Sequence, residues 1–254
     1  QPNAMGWREV GGMANQLAAH MDFDAASCEI VQEFWQAPNM ATAAGRKAID
    51  MFADIDSGKI KAVWIMATNP AVSLPDSELV ARALKKCPLV IVSDVTRTDT
   101  TELADIVLPA RGWSEKDGTV TNSERVISRQ RALVCAPGET RPDWQVIRQV
   151  AQGLGFQDAF SYQQASEVFA EHAKLSGYRN QGERLFNISE WADADQAAYD
   201  AMTPFQWPRR RPFQNKRFST PDGRARFVAV VASSKKSSGW TLNTGRIRDQ
   251  WHTI

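Results

Sequence analysis

The chain has no run of about 18 consecutive apolar residues, which excludes a helix that spans a bilayer. It also shows no basic-then-apolar leader within this stretch. Charge of either sign is nearly cancelled: 30 Lys and Arg stand against 29 Asp and Glu, for a net +1. That balance gives no electrostatic reason to expect nucleic acid or an anionic membrane surface as partner. Cysteine is scarce and dispersed, at Cys28, Cys87 and Cys135. None forms C-x-x-C, so no iron–sulfur or zinc site is legible from spacing. Such a set suits free thiols in a reducing, cytoplasmic setting, each read as a small buried apolar residue. Only three histidines occur. His20 and His172 fall on helical patterns and read as surface or packing residues, and no metal-ligand cluster is apparent. G-x-S-x-G and G-x-G-x-x-G are both missing, which removes the simplest hydrolase and dinucleotide fingerprints.

The sequence does carry an alternation of strand and helix signals. Ala62–Ala67 (AVWIMA) is a short apolar run without period-2 alternation, as expected for a strand covered on both faces. Ser77–Lys86 is a helix capped by Asp76 or Ser77. Leu89–Val92 is the next strand, Thr98–Leu103 a short helix, Asp105–Leu108 a third strand. Pro142–Leu154 is an amphipathic helix closed by Gly155. Upstream, Ile30, Phe34 and Trp35 carry helical spacing, and Ala41–Ile55 reads as a helix stopped by Asp56-Ser57-Gly58. Alternating β and α at these lengths predicts an α/β fold, a doubly wound parallel sheet with flanking helices.

These elements divide the chain into four parts. Residues 1–58 form a helical and loop segment leading into the sheet. Residues 59–155 form a mononucleotide-binding-like α/β domain. Residues 156–235 form a helical insertion and linker, ending in a turn at Asp222-Gly223 and a strand over the next apolar run. Residues 236–254 are the last part, which carries WTLNTGRIRDQWHTI after the SSKKSSG linker. The chain opens on Gln, stops without a closing element and carries nine Trp. It reads as a piece of a longer polypeptide.

Three strand-to-loop junctions deliver polar groups to one sheet edge, where open α/β sheets bind ligands. Asn69, in ATNP, can both donate and accept, or it can simply close an Asx-turn. Ser93 and Asp94 end the second strand, where a ribose or base edge is commonly read, or they cap the next segment. Lys116, in WSEKDG, can neutralise a pyrophosphate, or it belongs to a solvated turn made by Asp117-Gly118. Asp143 opens a helix, where its dipole favours an acid. In TGRIRDQWHT, Thr244, Gly245, Arg246, Trp251 and His252 combine amides, a guanidinium and a stacking ring that can wrap phosphates and a flat heterocycle. In QPNAMGWREVGG, read from the residues alone, Arg8 fixes the Gly-rich loop through a salt bridge to Glu9.

The order ATNP, VSD, ADIVLPA, W-x-EKDG and then TGR…QWH resembles the bis-molybdopterin guanine dinucleotide oxidoreductases, also called the dimethyl sulfoxide reductase family, and within it the assimilatory nitrate-reducing branch. The resemblance covers nearly the whole chain and is weakest over 156–235. It implies that Asn69, Ser93, Asp94, Lys116, Asp143, Thr244, Gly245, Arg246, Trp251 and His252 touch the guanine dinucleotide of the molybdenum cofactor. It implies that Gln1 and Arg8 lie near the metal and the nitrate funnel. Trp7 stands where the family usually has Gly. Residues 236–254 would begin the C-terminal molybdopterin-dinucleotide-binding domain, which is β-rich, with the rest of it after Ile254; a [4Fe–4S] cluster and the side chain that ligates molybdenum would lie before Gln1. Electrons would come from a donor protein or subunit of unknown identity, and the isolated piece would be inactive. A formate dehydrogenase-type molybdoenzyme is the alternative within the family. A non-catalytic guanine-nucleotide-binding or structural module is the alternative outside it.

Overall fold

The computed structural model describes residues 3–209, 213–218, 220, 222–231 and 239–240. Its helices are α1 (Gly6–Glu9), α2 (Ala25–Trp35), α3 (Ala48–Asp56), α4 (Pro70–Ser73), α5 (Ser77–Lys86), α6 (Asp143–Gly153), α7 (Ala165–Gly177) and α8 (Gln196–Asp200). Its strands are β1 (Ala62–Met66), β2 (Leu89–Asp94), β3 (Ile106–Pro109), β4 (Gly118–Thr121), β5 (Val126–Gln130) and β6 (Phe205–Gln206).

The expected parallel sheet with flanking helices is present. Strands run in the order β1-β2-β3, all parallel, with Val63 opposite Val90 and Val92 opposite Val107. Val63, Ile65, Val90 and Val92 alternate onto one face and bury against Phe52 and Ile55 of α3 and Val80, Ala83 and Leu84 of α5. Helix α5 starts where Asp76 accepts from the amide of Leu79 at 2.9 Å. Asp56, at the end of α3, accepts from Lys86 at 2.7 Å and Arg82 at 3.1 Å, which ties the two helices together.

A second core lies beside this unit. Val31 of α2, Ile127 of β5, Phe169 and Ala173 of α7, Phe186, Tyr199 and Trp207 pack into one cluster. It rests on an antiparallel sheet, β4-β5-β6, in which Thr121 faces Ile127 and Ile127 faces Phe205. That sheet was legible only as a short Thr/Val-rich run, because its partner strand β6 is two residues long and 75 residues away from β5.

Four expectations are corrected. The helix expected from Ala41 begins only at Ala48, and Gly45 instead donates its amide to Ala14 O at 2.7 Å. The turn before Gly223 forms, with Gly223 donating to Thr220 O at 2.8 Å, but the apolar run after it is extended chain without a ladder partner among the described residues. A lone strand has nothing to satisfy its backbone groups, so the sequence pattern alone cannot make one. Thr98–Leu103 forms only a short 3-10 turn, Thr101–Leu103. Cys28 and Cys87 are buried as expected, whereas Cys135 is exposed. No helix of the described residues is long and apolar enough to cross a membrane.

Candidate functional site

The carboxyl ends of β1, β2 and β3 open on one edge, and the loops there are tied to one another. Asn69 follows β1. Its Oδ1 accepts from the Thr100 amide at 3.2 Å and the Thr100 hydroxyl at 2.6 Å, and its Nδ2 donates to Asp99 at 3.4 Å. Thr100 Oγ1 also accepts from the Ala71 amide at 3.2 Å. Asn69 therefore locks the loop after β1 to the loop after β2 and presents its amide as part of that rim.

Ser93 and Asp94 end β2 and differ sharply. Ser93 is buried, and its Oγ accepts from Trp64 Nε1 at 2.9 Å across the sheet. Asp94 is half-buried; its Oδ1 accepts from the Val95 amide at 2.7 Å, and its Oδ2 has no partner among the described residues. Asp94 thus has an acceptor to offer at the edge, while Ser93 lies beneath it.

The chain after β3 brings the next two groups together. Ala110 makes a bridge to Arg141; Arg141 donates to Pro109 O at 3.2 Å and Arg111 to Arg141 O at 3.1 Å. This short extension of the sheet delivers the start of α6 to the end of β3. Lys116 and Asp143, 27 residues apart, meet there in an ion pair of 2.8 Å. Both are about one-third exposed or less, so a ligand phosphate could compete for the ammonium. Asp117, next to Lys116, does not make a free solvated turn: it pairs with Arg129 at 2.7 Å.

The segment carrying Arg8 sits on the antiparallel sheet. The salt bridge open to Arg8 and Glu9 does not form. Glu9 is buried and accepts from Thr121 Oγ1 at 2.7 Å and Trp207 Nε1 at 2.5 Å. Burial pushes its carboxyl above the usual range, against the pull of those two hydrogen bonds. Arg8 is exposed and has no partner among the described residues. Trp7 lies outward, and its indole occupies the space that a side chain at position 12 would need, so only Gly fits there. Close by, His20 is held below its ordinary value by burial and then by the Arg8 charge. His172 is lowered to about 4 by burial and by His20. Both rings pack on Phe186.

The carboxyl ends of the parallel strands therefore carry Asn69 and Asp94 on their loops, and the chain that continues from β3 pairs Lys116 with Asp143. Arg8 lies on the short helix α1, and a cavity of about 450 Å³ has both Glu9 and Asp143 in its wall. Gln1, Thr244, Gly245, Arg246, Trp251 and His252 lie outside the described residues. The sequence reading missed Thr100 as the bolt behind Asn69 and Thr121 as the anchor behind Arg8. Neither has a local signal, because each acts on a partner about 30 or more residues away.

Comparison with known proteins decides the family. Residues 4–153 match the model of the molybdopterin oxidoreductases. The chain belongs to that family. It is 49% identical, over its whole length, to a nitrate reductase of Klebsiella oxytoca and 46% identical to one of Shewanella frigidimarina, covering 30% and 29% of those proteins. An F420-dependent formate dehydrogenase subunit alpha of Methanocaldococcus jannaschii is 31% identical over the whole chain, which covers 37% of it. The chain thus spans about a third of the length of these curated relatives. Among solved structures, acetylene hydratase from Pelobacter acetylenicus superposes with a TM-score of 0.56 at 18% identity, over 88% of this chain and 27% of that one. That likeness speaks for the fold alone.

The family implies a molybdenum–pterin cofactor, and the donor set at the strand ends suits one. An acceptor on Asp94 matches hydroxyl or amino donors, and the Lys116 ammonium matches a phosphate.

Proposed function

We propose that this chain is the part of a molybdenum nitrate reductase that holds one dinucleotide tail of the cofactor and one wall of the nitrate funnel. The observation that carries the reading is the 49% identity to a nitrate reductase over the whole chain, against 31% to a formate dehydrogenase subunit. The guanidinium of Arg8, exposed and without a partner among the described residues, supports the choice of an anionic substrate.

The cofactor in this reading is bis-molybdopterin guanine dinucleotide, with a [4Fe–4S] cluster elsewhere in the protein supplying electrons from a donor not yet identified, in the cytoplasm. When bound, the molybdenum centre supplies the two-electron removal of an oxygen atom. Nitrate, two protons and two electrons give nitrite and water. This chain's residues do the binding. Asp94 reads hydroxyl and base donors, Asn69 offers the second hydrogen of its amide nitrogen to an acceptor, Lys116 offsets phosphate charge, and Asp143 orients Lys116. Gln1, Thr244, Gly245, Arg246, Trp251 and His252 are assigned to the same work by resemblance. Arg8 would draw the nitrate anion and orient it by hydrogen bonds from its guanidinium.

The test is the protein carrying this chain, purified after growth with molybdate and assayed with a reduced dye as donor. Nitrate reduction with bound molybdenum and guanine nucleotide is expected. Formate oxidation in its place moves the reading to a formate dehydrogenase, and an apoprotein that takes up neither molybdenum nor pterin leaves a binding or structural module.

A further inference from the structure

Thr121 spends every polar atom it has on the segment that carries Arg8. Its amide donates to Asn3 Oδ1 at 2.9 Å, its carbonyl accepts from the Met5 amide at 3.1 Å, and its hydroxyl donates to Glu9 Oε2 at 2.7 Å. The second Glu9 oxygen accepts from Trp207 Nε1 at 2.5 Å. Trp207 is itself held to the β4–β5 turn, its amide donating to Arg125 O at 3.0 Å and its carbonyl accepting from Arg125 Nε at 3.0 Å. Both partners of the Glu9 carboxylate therefore hang from one small antiparallel sheet. Gly6 has no room for a side chain, because Asn3 crosses it to reach Thr121.

Successive residues of a helical turn point about 100° apart. Fixing Glu9 inward on Thr121 and Trp207 thus fixes where Arg8, the preceding residue, points: outward and exposed. A buried acid spent only on stability would more simply pair with its neighbouring Arg8. Here the acid is turned onto Thr121 and Trp207, and the cation is left without a partner among the described residues. The same cavity wall carries Glu9, Thr121 and Asp143, so the frame that sets Arg8 is built onto the cofactor edge.

We infer that Glu9 and Thr121 are positioning residues that aim Arg8 at the substrate anion, with Trp207 as the outer brace. The inference rests on the reading of Arg8 as the residue that meets nitrate. It extends that reading by naming the residues through which anion affinity is set.

The experiment compares the wild-type protein carrying this chain with Arg8→Lys, Glu9→Ala, Thr121→Val and Thr121→Ser. Each is measured for KM and kcat with nitrate, molybdenum content, and the rise in melting temperature on adding nitrate. Glu9→Ala and Thr121→Val are expected to raise KM for nitrate by about tenfold, the effect of roughly 1.4 kcal/mol, with kcat within about twofold. The nitrate-dependent rise in melting temperature should shrink in parallel. Thr121→Ser keeps the hydroxyl and should restore both. If Glu9→Ala does not fold, Thr121→Val against Thr121→Ser carries the same comparison. The inference is overturned if both variants keep the wild-type KM and nitrate shift, or lose only molybdenum and kcat, while Arg8→Lys raises KM. In that case the proposed function stands. A wild-type protein loaded with molybdenum that neither binds nor reduces nitrate removes the function and the inference together.

Discussion

The guanidinium carbon of Arg129 sits 3.9 Å from the centre of the Tyr199 ring, with its side chain only 2% exposed. It joins β5 to α8 and to the loop before β4. Arg129 donates to the carbonyls of Gly118, Gln130 and Tyr199 and pairs with Asp117 at 2.7 Å and Asp200 at 3.0 Å. Its shorter ion pair holds Asp117, the neighbour of Lys116. Arg129→Met should keep the stacking volume and lose the fork of hydrogen bonds. A loss of about 2–3 kcal/mol is expected, mostly from carbonyls left without donors, since the two carboxylates remain half-exposed. A shift of the urea midpoint at unchanged slope checks it; a midpoint within error of wild type would mean that water replaces the guanidinium at no cost.

The paired imidazoles predict a dependence on pH. His172 has a folded value of about 4, below its ordinary 6.5, because burial and His20 disfavour the cation. Between those two values the unfolded chain binds a proton that the folded chain does not. Stability from this group is therefore complete above about pH 6.5 and falls as pH drops toward 4. His20 acts in the same direction. Glu9 acts oppositely, since its raised value favours the folded state most at low pH and less as pH rises through that value. His172→Gln removes this acid-sensitive contribution. Urea midpoints measured from pH 4 to 7 should then vary less with pH than those of wild type; an unchanged slope would show that His172 titrates freely.

How much of this was legible in the sequence depends on the range of each interaction. The parallel sheet was readable because AVWIMA and LVIV are local apolar runs and Asp76 is a local cap. Asp94, Lys116 and Asp143 were readable as strand-end or helix-start polar groups. The failures were long-range. Nothing near Asp117 announces Arg129, and nothing near Glu9 announces Trp207, 198 residues on. Ser93 shows the limit of position as a guide. It ends the expected strand, yet the period-2 alternation turns it onto the face where Trp64 takes its hydroxyl.

Lys116 and Asp143 separate binding from stability. Their ion pair is partly exposed, so breaking it costs less than about 1 kcal/mol of stability. If Lys116 offsets cofactor phosphate, Lys116→Met should leave the melting temperature of the apoprotein within about a degree or two. It should lower the guanine nucleotide and molybdenum recovered with the protein severalfold. Asp143→Asn keeps a hydrogen-bond partner for Lys116 and is expected to be milder. Equal cofactor content in Lys116→Met and wild type would remove Lys116 from the binding set.

The extended run after the Gly223 turn leads to the last expectation. Phe227, Val228, Val230 and Val231 are consecutive or nearly so, and Phe227 is 97% exposed. The edge strand β3 adds exposed Ile106 and Val107. Monomeric proteins rarely leave consecutive apolar residues this open, and an apolar extended segment without ladder partners among the described residues pairs readily with another copy. The 254-residue chain expressed alone should therefore self-associate at micromolar concentration. Val228→Lys with Val230→Lys places two charges on the run and should shift the population toward monomer in sedimentation velocity, without lowering the melting temperature, because neither side chain contributes to a core. Association that persists unchanged would move the cause to the open edge of β3, where Val107→Lys makes the same test.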